Sequence, residues 1–227
     1  SFVRVKETDL QIFTDCDIGE LTTNAALMCR VQLEQYLEKR PEFLTSLNPL
    51  QQEEFAPPVV REMISASQAA GVGPMASVAG MIAEFVGKHL LERGCKEVIV
   101  ENGGDIYIHR EQEATIAIYA GESVLSNRVG LKIKKDRFPL GVCTSSGKIG
   151  HSLSFGEADS VTVLSFSTPL ADAAATRLGN EVGMSGRGQK GIEDALSLAS
   201  KIEGLEGVVV ICDENLGAIG NVELVKL

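Results

Sequence analysis

Tryptophan is absent from this chain of 227 residues, and aromatic residues make up only 5% of it. A core with so few large rings has to rest on Val, Ile, Leu, Ala and Met. There is no C-x-x-C pair and no Cys/His cluster of zinc type. The five cysteines (Cys16, Cys29, Cys95, Cys143, Cys212) are odd in number and widely spaced. That excludes a dense disulfide framework and is read as free thiols in a reducing cytoplasm. No apolar stretch approaches the ~20 residues of a membrane span, and no signal-peptide pattern is visible, so a cytoplasmic protein is expected. Positive charge is scarce: 21 Lys and Arg stand against 31 Asp and Glu, for a net charge of −10 and a pI near 4.9. That average field repels a polyanion, so nucleic acid is excluded as a partner. The densest basic run, Lys132, Lys134, Lys135 and Arg137, alternates with Leu131 and Ile133 and reads as the solvated face of a strand.

Hydrophobic residues, at 44%, are plentiful enough for a sizeable core, and the length suits one domain over residues 1–227. Alternation predicts strands at 2–7 and 10–14. A helix follows from Gly19 to Lys39, ended by Pro41, and a second from Val59 to Ala70 runs into Gly71-Val72-Gly73-Pro74. The most informative element is a helix from Pro74 to Arg93. Val78, Ile82 and Phe85 make its large apolar face, and Ala76, Gly80, Ala83 and Gly87 make a small-residue face opposite. Ser77, Glu84, Lys88 and Glu92 form a polar stripe that includes the i,i+4 pair Glu84–Lys88. A helix apolar on two sides is central, and its small face lets another backbone, a ligand or a second copy of the chain come close. Strands are expected at 96–101, 105–109, 115–120, 128–134, 140–144 and 160–166, then helices at 169–182 and 190–202, then strands at 207–212 and 218–225. Strands in succession without intervening helices pair antiparallel, so the fold class is α+β rather than a doubly wound sheet.

Several segments carry candidate chemistry. Gly71-x-Gly73-x-x-Ala76 resembles a dinucleotide fingerprint, but the residues before it are helical and Pro74 sits within the turn. What survives is a glycine turn opening a helix, where Gly73 and Met75 bring backbone N–H groups that can hold an anion. Glu101-Asn102-Gly103-Gly104-Asp105 is a hairpin signal, and its bare glycines also let a ligand lie on the main chain. Thr144, Ser145 and Ser146 end a strand and offer hydroxyl and N–H donors to phosphate, or form an ordinary polar turn. His151, beside that turn, is the general-base candidate among three histidines. Asp172 and Thr176, four apart, share a helix face. Two hard oxygen donors suit Mg²⁺, although Asp near a helix start and Thr within a helix both have local structural uses. Cys143 is either a small core hydrophobe or a single reactive thiol.

The order of these segments resembles the ApbE superfamily, known for Mg²⁺-dependent FAD:protein FMN transferases. The likeness runs over residues 71–183: a glycine turn and helix, V-E-N-G-G-D-I, T-S-S-G with a nearby His, and A-D-A-A-A-T-R-L-G. The tail L-G-A-I-G-N-V-E-L is similar to that of a compact, divergent branch. The resemblance implies a T-fold-like architecture, a largely antiparallel sheet with a central buried helix. It implies Asp172 and Thr176 as metal ligands, with a backbone carbonyl near Val78 completing the set. It also implies Gly103, Gly104 and Asp105 at a flavin site, His151 as the family histidine, Mg²⁺ and FAD as cofactors, and a threonine-bearing protein as substrate. The chain departs from the family at Ala79-Gly80 (usually Lys-Gly), at Glu84 (usually Asp) and at 153–157 (usually D-P-x-T-G). These departures leave a second expectation open: a non-transferase accessory protein in the sulfur or homocysteine metabolism of anaerobes, built on the same scaffold.

Overall fold

A computed structural model describes residues 1–146, 156–184, 186 and 188–227. The chain opens with β1 (Phe2–Val5) and β2 (Thr8–Thr14), then α1 (Leu21–Lys39), α2 (Glu42–Thr45), α3 (Pro58–Ala70) and α4 (Val78–Glu92). Six strands follow: β3 (Val98–Asn102), β4 (Asp105–His109), β5 (Ala114–Ala117), β6 (Val129–Ile133), β7 (Leu140–Ser145) and β8 (Ser160–Ser165). The chain then runs through α5 (Thr168–Met184) and α6 (Gln189–Ala199) to β9 (Leu205–Cys212), β10 (Asn215–Gly220) and β11 (Leu224–Lys226).

Eight strands form one sheet in the order β1-β2-β3-β4-β7-β8-β9-β10, and three form another, β11-β6-β5. All the pairings among the described residues are antiparallel, in keeping with the α+β reading. Hairpin chemistry sets the register locally. Asn102 pairs with Asp105, leaving Gly103 (φ 64°) and Gly104 (φ 103°) as a two-residue turn with both φ positive, a conformation glycine adopts without strain.

The larger sheet is covered on both sides. On one face Leu10, Ile12, Val98, Val100 and Tyr107 pack with α1, α3 and α4, while Val161, Val163, Val208 and Val210 pack with α5 and α6. On the other face Ile108, Leu140, Val142, Leu164, Val209 and Ile211 pack against Leu131 and Ile133 of the smaller sheet. Strand β8 is buried along its whole length for this reason, its polar residues Ser160, Thr162 and Ser165 included.

Helix α4 is the central buried helix. Its small-residue row is used inside the molecule: a Cβ on Gly80 would lie 2.6 Å from the Thr168 carbonyl oxygen of α5, and one on Gly87 would overlap the Tyr107 ring. Three details differ from the sequence reading. Residues Pro74–Ser77 form a separate 3-10 turn ahead of α4, broken from it at Ser77 (φ −118°, ψ 6°). The polar stripe does not face solvent throughout, since Ser77 and Glu84 are buried while Lys88 is exposed. The last expected strand is two strands in different sheets, divided after Gly220 (φ 79°).

The expectation of five free thiols is corrected: Cys16 and Cys95 form a disulfide, with Cα atoms 5.5 Å apart. Thr14 of β2 pairs with Val98 of β3, so the residues just beyond β2 and just before β3 are brought together although 79 positions separate the two cysteines. Cys29, Cys143 and Cys212 are free and buried. Thiol titration of unfolded, unreduced protein is therefore expected to find three groups, and five after reduction. Reduction should lower stability by about 4.5 kcal/mol on the chain-entropy model for a loop of this length; five thiols before reduction would refute the pairing.

Three residues of the basic run make ion pairs, Lys132 with Glu113, Lys134 with Glu223 and the partly buried Arg137 with Glu206. Among the described residues, no single helix is long and apolar enough to cross a membrane.

Candidate functional site

The site forms where the α3–α4 connection meets α5. Gly71 (φ 73°) ends α3 in the left-handed conformation and donates to the Ser67 carbonyl. Gly73 lies so close to the 44–47 segment that a Cβ there would overlap the Ser46 carbonyl oxygen. With the backbone pinned in this way, α4 begins with unpaired N–H groups aimed at α5. The Gly80 N–H donates to Asp172 Oδ2 at 2.8 Å, and the Ala79 N–H reinforces it. Thr176 and Asn180 follow Asp172 at four-residue intervals on the same helix face, and all three line a hollow of about 660 Å³. Gly73, Met75 and Val78 line it from the other side, and Leu44 and Leu47 stand at its rim, both more than half exposed (55% and 60%).

A smaller hollow of about 370 Å³ adjoins it, sharing Leu44, Met75, Val78 and Ala79. Its cation, Arg30, is held by Thr8, Glu7 and Glu34. Asn102 links the two regions, its Nδ2 donating to the Ala79 carbonyl at 3.1 Å.

The structure divides the sequence-predicted residues. Asp172, Thr176, Val78, Gly73 and Met75 come together. Gly103, Gly104, Thr144 and Ser146 line a different hollow of about 220 Å³ on the opposite face of the larger sheet, with Ile116 and Tyr119. There the Thr144 and Thr162 hydroxyls lie 3.0 Å apart. Ser145 lines neither hollow, and His151 lies outside the described residues. Asp105 is between the two: it follows Gly104 in the chain, yet its carboxylate is buried on the helix side, opposite Cys143 in the β4–β7 pairing.

The electrostatics of this region are unusual. Burial raises the Asp172 carboxyl to about 7, against the opposing effect of the Gly80 and Ala79 N–H groups. Burial, then the charge of Asp172, raises Asp105 well above the ordinary carboxylate range. Burial, then Asp105, likewise raises the Cys143 thiol, which removes it as a ready nucleophile. Among the described residues lining the larger hollow, Asp172 is the one charged group. A buried carboxylate without a counter-cation, with a hydroxyl one turn away, is a donor set that suits a hard divalent ion.

Sequence reasoning missed three contributors: Asn180, the 44–47 rim and the Asn102 side chain. Asn180 was detectable, because it extends the Asp172–Thr176 interval by another turn. The others depend on which face meets which neighbour, and the sequence carries no such signal.

A family model described as AbpE bacteria matches residues 2–224. A UPF0280 protein of Methanococcus maripaludis is 42% identical over 228 residues, covering 99% of this chain and 92% of the relative. Another from Methanocaldococcus jannaschii is 43% identical, covering 98% and 91%. Among solved structures, an ApbE protein from Thermotoga maritima is 13% identical with a TM-score of 0.48, covering 96% of this chain and 77% of that one. The flavin transferase ApbE from Vibrio cholerae is 16% identical with a TM-score of 0.42, covering 92% and 76%. With its model matched along nearly the whole chain, and with relatives above 40% identity at almost full length, the chain belongs to the AbpE bacteria family.

Proposed function

We propose that the Asp172–Thr176 hollow binds a flavin nucleotide or another phosphorylated ligand together with Mg²⁺, in the service of FMN transfer to a threonine of a partner protein. The observation that carries this reading is the convergence of Asp172, Thr176, Gly73, Met75 and Val78 on one cavity whose sole described charge is a buried carboxylate. Asp172 and Thr176 would hold the metal. Bound there, Mg²⁺ would neutralise phosphate charge and polarise the phosphorus–oxygen bonds. The Gly80 and Ala79 N–H groups fix the orientation of the Asp172 carboxyl at the start of α4. Leu44 and Leu47 would close over a ligand and keep water from it. His151 is assigned the proton of the attacking hydroxyl. Gly103, Gly104, Asp105, Thr144, Ser145 and Ser146 are assigned to the far part of an elongated ligand that passes over the end of the sheet. The alternative accessory role in sulfur chemistry gains nothing from Cys143, whose thiol is fully buried.

Titration calorimetry with FAD, FMN and ADP, with and without Mg²⁺, tests the reading. FAD is expected to bind in Mg²⁺ and to lose at least about tenfold in affinity in EDTA. A threonine-bearing partner should then acquire covalent flavin fluorescence. No heat with any of the three nucleotides in Mg²⁺ would remove the proposal.

A further inference from the structure

Glu84 is buried, with the residue only 5% exposed, but lines neither of the hollows beside Asp172. Its Oε2 accepts the Thr168 N–H at 2.6 Å, and its Oε1 takes the Lys88 ammonium. Thr168 is the first residue of α5, so its N–H belongs to the set that finds no partner within the helix. Asp172 does the same service for α4 by accepting from Gly80. Gly80 and Glu84 are one turn apart on α4, and Thr168 and Asp172 are one turn apart on α5. The two bonds therefore close a ring in which each helix lends a carboxylate to the other's first turn, a favourable place for negative charge.

This ring has no slack. A Cβ on Gly80 would lie 2.6 Å from the Thr168 carbonyl oxygen, and one on Gly141 of β7 would lie 2.6 Å from the Thr168 Cα. Thr168 is thus held by α4, by β7 and by Glu84, and Asp172 follows one turn later. We infer that Glu84 is the positioning residue of the site: by capping α5 at Thr168 it fixes where Asp172 presents its carboxylate. The inference rests on the reading of Asp172 as a metal ligand given above, and its test separates the two.

Mn²⁺ titrated into the full chain and followed by electron paramagnetic resonance reads the metal. Exchange of the Gly80 amide proton, followed by NMR in metal-free protein, reads the position of Asp172. Glu84→Ala is expected to weaken Mn²⁺ binding at least about tenfold and to speed Gly80 exchange. Glu84→Gln, whose amide oxygen still accepts from Thr168, should stay within about threefold of the native affinity. A folded Glu84→Ala protein with native Mn²⁺ affinity and native Gly80 exchange would overturn the inference, as would a Glu84→Gln protein as weak as Glu84→Ala. If Glu84→Ala does not fold, Glu84→Asp decides, because it keeps the charge but falls one methylene short of Thr168; native affinity in that variant overturns the inference. A native chain that binds no Mn²⁺ removes the metal reading, and Gly80 exchange alone then decides for or against Glu84.

Discussion

Replacing Asp172 by asparagine is expected to give a metal-free protein that is more stable than the native chain above pH 7 and that no longer binds FAD with Mg²⁺. Burial raises the folded-state pKa of Asp172 to about 7, from an ordinary 3.8. A carboxyl shifted in this direction contributes stability that is fully present below the ordinary value and is lost as pH rises through the folded one. By pH 8 the charged form is held in a poor environment, at a cost on the order of 4 kcal/mol. That figure is an upper value, because Asp105 is raised in part by the same Asp172 charge and the two titrate as a pair. The carboxyls lowered by their surroundings, Glu7, Asp15 and Glu34, act in the opposite sense, but they are already ionised by pH 5. The amide introduced by Asp172→Asn would keep an oxygen for the Gly80 N–H and remove the charge. Urea unfolding in EDTA at pH 5 and pH 8 checks this. The native chain should lose stability between the two, and Asp172→Asn should flatten the change. A native chain equally stable at both pH values would show that the carboxylate is better compensated than the geometry indicates.

Gly80→Ala should destabilise the fold by up to about 2 kcal/mol, the reverse of the usual sign. In an unencumbered helix interior, Ala is favoured over Gly by about 1 kcal/mol. Here the added methyl meets a backbone carbonyl at 2.6 Å and the Asp172 Cβ at 2.9 Å, neither of which can rotate away. Overpacking of this kind costs about 1–3 kcal/mol and is relieved only by moving one helix off the other. That movement would carry Asp172 with it, so ligand affinity should fall together with the thermal midpoint. A Gly80→Ala protein that melts at or above the native temperature would show that the α4–α5 crossing yields. The same contact explains why the small-residue face of α4 is unavailable as a surface between copies: α5 and the Tyr107 ring already occupy it.

The elements themselves were largely legible. Pro41 after α1, the Asn-Gly-Gly-Asp turn between β3 and β4, and Pro169 at the start of α5 mark boundaries through local backbone chemistry, and the structure places them there. The Asp172–Thr176 pair was legible because helical spacing alone puts i and i+4 on one face. Those two line a different hollow from Gly103 and Gly104. Strand parity held the warning: successive residues point to opposite faces, so the hydroxyl of Thr144 and the carboxylate of Asp105, on paired strands where Asp105 faces Cys143, are on different sides of the sheet. The pairing of Cys16 with Cys95 and the capping of Thr168 by Glu84 depend on contacts between residues about 80 positions apart, and no local pattern encodes them.

The walls of the larger hollow are drawn from residues 44–47, 72–79 and 172–180, three stretches far apart in the chain. Occupancy of the hollow and integrity of the whole molecule are therefore one cooperative property, and in a denaturation experiment they should vanish at a single midpoint that a bound molecule moves upward.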